Sequence, residues 1–244
     1  MPRFFVDKTL ICDGKITLFG NDAHHVSRSL RMKVGEELTL CDGEGNDYSC
    51  VIESVTDTDV VCFINSVAPS SAEPPYSATV FQALVKGDRF DTVIQKSVEY
   101  GAVRIVPLIT KRCTVKLDKS DYAKKRARWQ KIAEEAAKQC GRGIVPTVEE
   151  PVSFGEMTRR LLESDLPLFC YENGTYPIKD ACGKAEYTPN SIAIVIGPEG
   201  GFSKEEAEAI SECGALPVSL GTRILRTESA APFVLACLSF NFEQ

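Results

Sequence analysis

From residue 76 onward the chain alternates between short apolar runs and amphipathic helical stretches. This alternation restricts the fold more than any other feature. Residues 78–84, 103–109, 166–171, 191–196 and 216–220 are apolar runs of strand length. After the first of them, Phe90, Val93, Ile94, Ser97 and Val98 share one helical face, and Gly101 stops the helix. Trp129, Ile132, Ala133, Ala136, Ala137 and Cys140 mark the inner side of a longer helix ending at Gly141. Helices are also expected over 203–213 and 228–240. Strands that alternate with helices predict the α/β class, with a parallel sheet covered on both faces.

The stretch Ala68-Pro69-Ser70-Ser71-Ala72-Glu73-Pro74-Pro75 reads as a linker, because small residues and prolines neither pack a core nor hold a ladder. Residues 1–67 before it read as all-β. Glu37 to Cys41 is a strand, Asp42 to Asp47 a turn containing Asp-Gly, and Tyr48–Val55 and Asp59–Val67 are further strands of a small barrel. Two domains follow, over 1–70 and 76–244.

The net charge of −6 argues against a protein that coats nucleic acid without specificity, but allows a local basic patch. Arg28, Arg31 and Lys33 form one such patch, and the basic residues between Lys111 and Lys131 form a second or a solvated helix face. The 10 cysteines contain no Cys-x-x-Cys pair and have no histidine pair near them, so they read as reduced, mostly buried thiols and not as zinc ligands. His24-His25 reads as a structural pair. No signal peptide and no membrane-spanning run are visible, which points to the cytoplasm.

Two loops carry the chemistry. In the first, the apolar run 192–196 enters Gly197-Pro198-Glu199-Gly200-Gly201-Phe202, and Ser203 and Glu206 then have the spacing of a capping box. Such a loop lies at the carboxyl end of a strand, where α/β sheets bind ligands. It is either a plain tight turn or a site of close backbone approach. It matches neither Gly-x-Gly-x-x-Gly nor Gly-Lys-Ser/Thr. In the second, Leu220-Gly221 ends a strand, and Thr222 to Glu228 carry Arg223, Arg226 and Glu228. Thr227 or Ser229 can cap the last helix, and Pro232 favours the later start. The charges here are solvated or functional.

Taken together, these loops resemble those of the SPOUT methyltransferases, and within them the family that methylates N3 of a uridine in 16S ribosomal RNA. The matching stretches are His25–Gly35, Lys86–Arg89, Gln95–Gly101, Arg112-Cys113, Trp129–Ala133, Gln139–Arg142, Ile196–Phe202 and Leu220–Ser229, in order along nearly the whole chain. Lys138 stands where the family usually has Glu, and Ser229 where it usually has Thr.

The resemblance implies a SPOUT-type parallel sheet with a C-terminal trefoil knot and an N-terminal PUA-like β-barrel that binds RNA. It implies S-adenosylmethionine as cofactor, 16S ribosomal RNA or the small ribosomal subunit as partner, a homodimer, and no metal or membrane. Arg226 and Glu228 are the expected catalytic residues. The expected cofactor contacts are Tyr171, Glu172, Ile196, Gly197, Glu199, Gly200, Gly201, Leu220, Gly221, Ile224 and Leu225. RNA contacts are expected from Arg28, Arg31, Lys33, Lys86, Arg89, Arg112 and Arg142. A SPOUT enzyme acting on another RNA or atom, or a non-catalytic ribosome-binding protein of this fold, has similar loops.

Overall fold

The computed structural model describes residues 2–56, 58–183 and 188–244. They form two compact units: Met1–Glu73 with Ala137–Val145, and Pro74–Ala136 with Pro146–Gln244.

In the first unit, β1 (Arg3–Phe5), β2 (Ile11–Cys12), β3 (Lys15–Phe19), β4 (Glu37–Cys41), β5 (Asn46–Val55) and β6 (Asp59–Pro69) make one sheet, ordered β1-β4-β5-β6-β3-β2. All neighbours are antiparallel except β1 and β4. The two-residue period sends Ile16, Leu18, Leu38, Leu40, Cys50, Ile52, Val60 and Cys62 into a single core. A core fed by so many strands requires a curled sheet. Two register shifts along β5 and β6 add to the bend.

The expected all-β character of this half needs a correction. α1 (Gly20–His24) runs into a π-helical turn, His25–Ser29, closed by Leu30 N–H donating to His25 O at 2.9 Å. Ala23 and Val26 from this segment plug the core. Two apolar residues three apart are too brief a signal for periodicity to register. The His25 ring meets Phe4 edge-on at 5.7 Å, a structural role. Arg31 adopts φ +54° beyond the turn, and Arg28, Arg31 and Lys33 are all exposed. π-turns recur at functional positions.

Asp42 organises the turn between β4 and β5. Its Oδ1 accepts from Glu44 N and Asn46 N at 2.9 and 3.0 Å, and its Oδ2 from Asn46 Nδ2 at 2.7 Å. Burial pushes the Asp42 carboxyl up, but these donors and Lys8 outweigh it and hold the group below the usual carboxylate range. A depressed folded pKa gives stability that is present above the unfolded value, about 4, and lost as pH falls through the folded one. Asp42→Ala is expected to cost about 2 kcal/mol in urea unfolding at neutral pH, with the deficit shrinking in acid.

The stretch expected to be a linker is pinned in place. β6 pairs with β5 as far as Pro69, whose missing N–H is harmless at a strand end. Glu73 then accepts from the backbone of Gly143 and Ile144 at 2.9 and 3.1 Å and pairs with Arg142 at 2.6 Å. These bonds hold residues 137–145 in the first unit, although the sequence lies far beyond Glu73.

The second unit holds β7 (Ser77–Ala83), α2 (Arg89–Glu99), β8 (Ala102–Ile109), most of α3 (Tyr122–Cys140), β9 (Thr147–Val148) and β10 (Val152–Ser153). It continues with α4 (Phe154–Leu161), β11 (Leu166–Cys170), β12 (Tyr176–Pro177), α5 (Ile178–Gly183), β13 (Ser191–Ile196), α6 (Lys204–Glu212), β14 (Leu216–Ser219) and α7 (Thr227–Phe242). Every strand pair is parallel, in the order β10-β8-β7-β13-β11-β14-β12 with β9 beside β8. Phe81, Val106, Leu108, Phe169, Ala193 and Val195 on one face meet Met157 and Leu161 of α4 and Ala207 and Ile210 of α6. Alternate positions such as Val80 and Ile194 bury on the other face, where α2 and α7 pack together and α7 meets β13. The expected α/β class with a parallel sheet is what the chain adopts. Among the described residues no helix is long and apolar enough to cross a membrane.

Candidate active site

Three strands, β11, β13 and β14, lie side by side and end at the same edge of the sheet. The segments that leave their carboxyl ends enclose a cavity of about 640 Å³. This is the edge where parallel sheets bind ligands, and the volume suits a nucleoside-sized molecule.

The wall from β13 is the glycine turn. Gly197 is required there by contact, since a Cβ on it would lie 2.9 Å from the Phe202 ring. Phe202 in turn packs edge-on against Phe169, which stacks on Tyr171. The turn hands over to α6 through the expected capping box: Glu206 N donates to Ser203 Oγ at 3.2 Å and Ser203 N to Glu206 Oε2 at 2.9 Å. Lys111 N also donates to Glu206, at 2.8 Å. Arg112 Nη1 donates to Gly200 O at 2.9 Å, and Arg89 pairs with Glu199 at 2.7 Å.

The wall from β14 is the arginine loop. Gly221 sits at φ +110°, a conformation that side chains rarely adopt. Arg226 is the N-cap of α7 through its backbone, with φ −65° and ψ 151°, and its side chain is 86% exposed. Glu228 lies in the first helical turn, where a carboxylate faces the positive end of the helix dipole. Arg226 Nη1 is 3.9 Å from Glu228 Oε1, and Glu228 Oε2 is buried with no hydrogen-bond partner among the described residues. The helix therefore starts three residues earlier than Pro232 suggested, with Arg226 and not Ser229 at the N-cap. Pro232 is an interior residue of α7, and Glu228 belongs to the helix, not to the irregular segment.

The two walls are joined directly. Thr227 Oγ1 donates to Gly197 O at 2.6 Å and accepts from Gln82 Nε2 at 2.9 Å. The third wall is Cys170, Tyr171 and Glu172 at the end of β11. Burial pushes the Cys170 thiol well above its usual range, so it stays neutral.

Tyr171, Glu172, Ile196, Gly197, Glu199, Gly201, Leu220, Gly221, Ile224 and Leu225 all face the cavity, as do Arg226 and Glu228. Gly200 does not line it and instead presents its carbonyl to Arg112. Of the residues expected on RNA, Arg89 lines the cavity, Lys86 is exposed beside it in sequence, and Arg112 braces the glycine turn. Arg142 is a correction. It is 2% exposed and paired with Glu73 inside the first unit, so it has no surface to offer a phosphate. Phe202 and Thr227 are lining residues that the sequence reading missed. Thr227, a cap candidate in the sequence, is instead the first residue of α7. No group of three or more metal-ligating side chains occurs among the described residues.

The family model for an RNA methyltransferase domain matches residues 72–239, and that for an RNA methyltransferase PUA domain matches residues 19–64. The chain belongs to this RNA methyltransferase family. A relative from Bacillus subtilis (strain 168), ribosomal RNA small subunit methyltransferase E, is 33% identical over 250 residues, covering 100% of this chain and 98% of the relative. The protein of that name from Synechocystis sp. is 31% identical over 99% of this chain and 78% of its own length. Among solved structures, the Neisseria gonorrhoeae ribosomal RNA small subunit methyltransferase E bound to S-adenosyl methionine superposes with a TM-score of 0.85. It is 31% identical over 98% of this chain and 97% of that one. The fold that carries this cavity is shared along nearly the whole chain.

Proposed function

We propose that the chain methylates RNA of the small ribosomal subunit, 16S ribosomal RNA, at N3 of a uridine, using S-adenosylmethionine. The observation that carries this reading is the shared cavity. Two glycine turns supply main-chain walls, and Arg226 stands on the rim beside a carboxylate with one unpartnered buried oxygen. The residues present fit the cofactor. Main-chain groups at Ile196, Gly197, Gly201, Leu220, Gly221 and Leu225 can read an adenine, and Glu172 and Glu228 are carboxylates suited to a cationic ligand. When bound, S-adenosylmethionine supplies a methyl group that its sulfonium makes electrophilic.

The side chains do the rest. Uridine N3 holds a proton and is a poor nucleophile until it leaves. Glu228 accepts that proton, and the N3 lone pair becomes available for the new bond. Arg226 places a cation beside the negative charge that spreads over the uracil ring. The walls hold the partners in line, which itself supplies several kcal/mol. N3 is the pairing edge of the base, so the target must be unpaired or turned out of its helix.

Arg28, Arg31 and Lys33 of the PUA-like first domain (residues 1–70), with Lys86 and Arg89 of the second (76–244), are the proposed phosphate contacts. Each alanine substitution among the first three is expected to reduce the slope of log affinity against log salt by about one. Filter binding across a salt series checks this. A cytosolic location goes with the substrate. The trefoil knot implied for the C-terminal unit belongs to the same reading.

A homodimer is proposed from α7. The helix is apolar on every side, yet Phe233 and Phe240, seven residues apart, are 38% and 74% exposed. A helix that is hydrophobic all round is normally buried all round. Light scattering after gel filtration should give twice the chain mass for the wild type and a monomer for Phe240→Glu.

The direct test is incubation with S-adenosylmethionine and small ribosomal subunits or free RNA, followed by nucleoside mass spectrometry. N3-methyluridine is the expected product. Methylation of another atom points to a different target in the same family, and bound cofactor without methylation points to a non-catalytic ribosome-binding role.

A further inference from the structure

Gln82, Thr227 and Gly197 form a chain of two hydrogen bonds whose direction is set by proton counting. Gln82 is fully buried on β7, level with Ile196 on β13. Its Nε2 donates to Thr227 Oγ1 at 2.9 Å and to Ala83 O at 3.1 Å. Thr227 has one hydroxyl proton and gives it to Gly197 O at 2.6 Å. Toward Gln82 the hydroxyl can therefore only accept, and the amide must present its nitrogen. That orientation leaves Gln82 Oε1 buried with no partner among the described residues.

An apolar side chain at position 82 would avoid that unsatisfied oxygen and would match its buried neighbours on the same face, Val80 and Ile194. A buried amide kept against this cost marks a position held for more than packing. Gln82 does not line the cavity, whereas both groups beyond it in the chain do.

We infer that Gln82 is a positioning residue for the cofactor, acting through Thr227. The pair clamps the Gly197 carbonyl, fixes the peptide plane from which the glycine turn departs, and holds that turn to the start of α7. This inference rests on the S-adenosylmethionine reading above.

The test is calorimetric titration with S-adenosylmethionine, run beside thermal unfolding of the same proteins without it. Gln82→Leu is expected to unfold at the wild-type temperature or higher, and to bind about tenfold more weakly. Thr227→Val should weaken binding to a similar degree. The double variant should be no weaker than either alone, because both break one chain. Thr227→Ser keeps the hydroxyl and should restore wild-type affinity. Wild-type affinity in Gln82→Leu overturns the inference. So does an affinity loss that follows falling unfolding temperature across all the variants, which marks a purely structural bond. A wild-type protein that does not bind S-adenosylmethionine overturns the cofactor reading itself, and this inference with it.

Discussion

Arg226→Ala is expected to slow methyl transfer by about two to three orders of magnitude, the range seen when one preorganised charge-stabilising group is removed. Affinity for S-adenosylmethionine should stay within about twofold. The reasons are local. The guanidinium is 86% exposed, and the capping role at this position is played by the backbone, with no side-chain cap bond. Its ion pair with Glu228 is long, at 3.9 Å, and its guanidinium end lies in solvent, so the pair contributes little to stability. Folding therefore has little to lose, and the effect should fall on the chemical step. Arg226→Lys keeps the charge but not the planar fork, and should recover only part of the rate. Single-turnover kinetics with saturating cofactor separates these cases. A wild-type rate in Arg226→Ala removes this residue from the mechanism.

Glu73→Ala is expected to destabilise the first unit by about 3–5 kcal/mol, the usual cost of leaving one member of a buried ion pair without its partner. Arg142 is 2% exposed, so water replaces the lost carboxylate poorly. The same substitution takes the acceptor from Gly143 N and Ile144 N. Glu73→Gln retains an acceptor for the backbone donors and should be milder. Denaturant unfolding followed by circular dichroism measures both. A change below about 1 kcal/mol for Glu73→Ala would mean that the pair is dispensable.

The second unit was largely legible because its signals are local. The run 191–196 is apolar throughout and ends at glycine, and it forms β13 with those limits. The Ser203–Glu206 spacing foretold a reciprocal cap, which formed. The two loops were expected to meet, and the Thr227–Gly197 bond joins them. Other features depended on partners far away in sequence. Arg142 looked like a surface cation because nothing nearby shows that Glu73, 69 residues earlier, folds onto it. Proline preference misplaced the start of α7, since Pro232 lies deeper in the helix than the rule allows and leaves Glu228 O without its helical donor. Gln82 reads as a polar residue in a largely apolar strand, and only the register with β13 and the packing of α7 give it a partner. β9, β10 and β12 have two residues each, too few to show any period.

The return of residues 137–145 to the first unit bears on how the gene can be cut. A fragment ending after Glu73 carries the carboxylate but neither the guanidinium nor the amides that it binds. Its complement keeps the guanidinium without that carboxylate. Exchange of modules between relatives at that junction therefore transfers half of a lock, and recombination can preserve it only by moving both segments together.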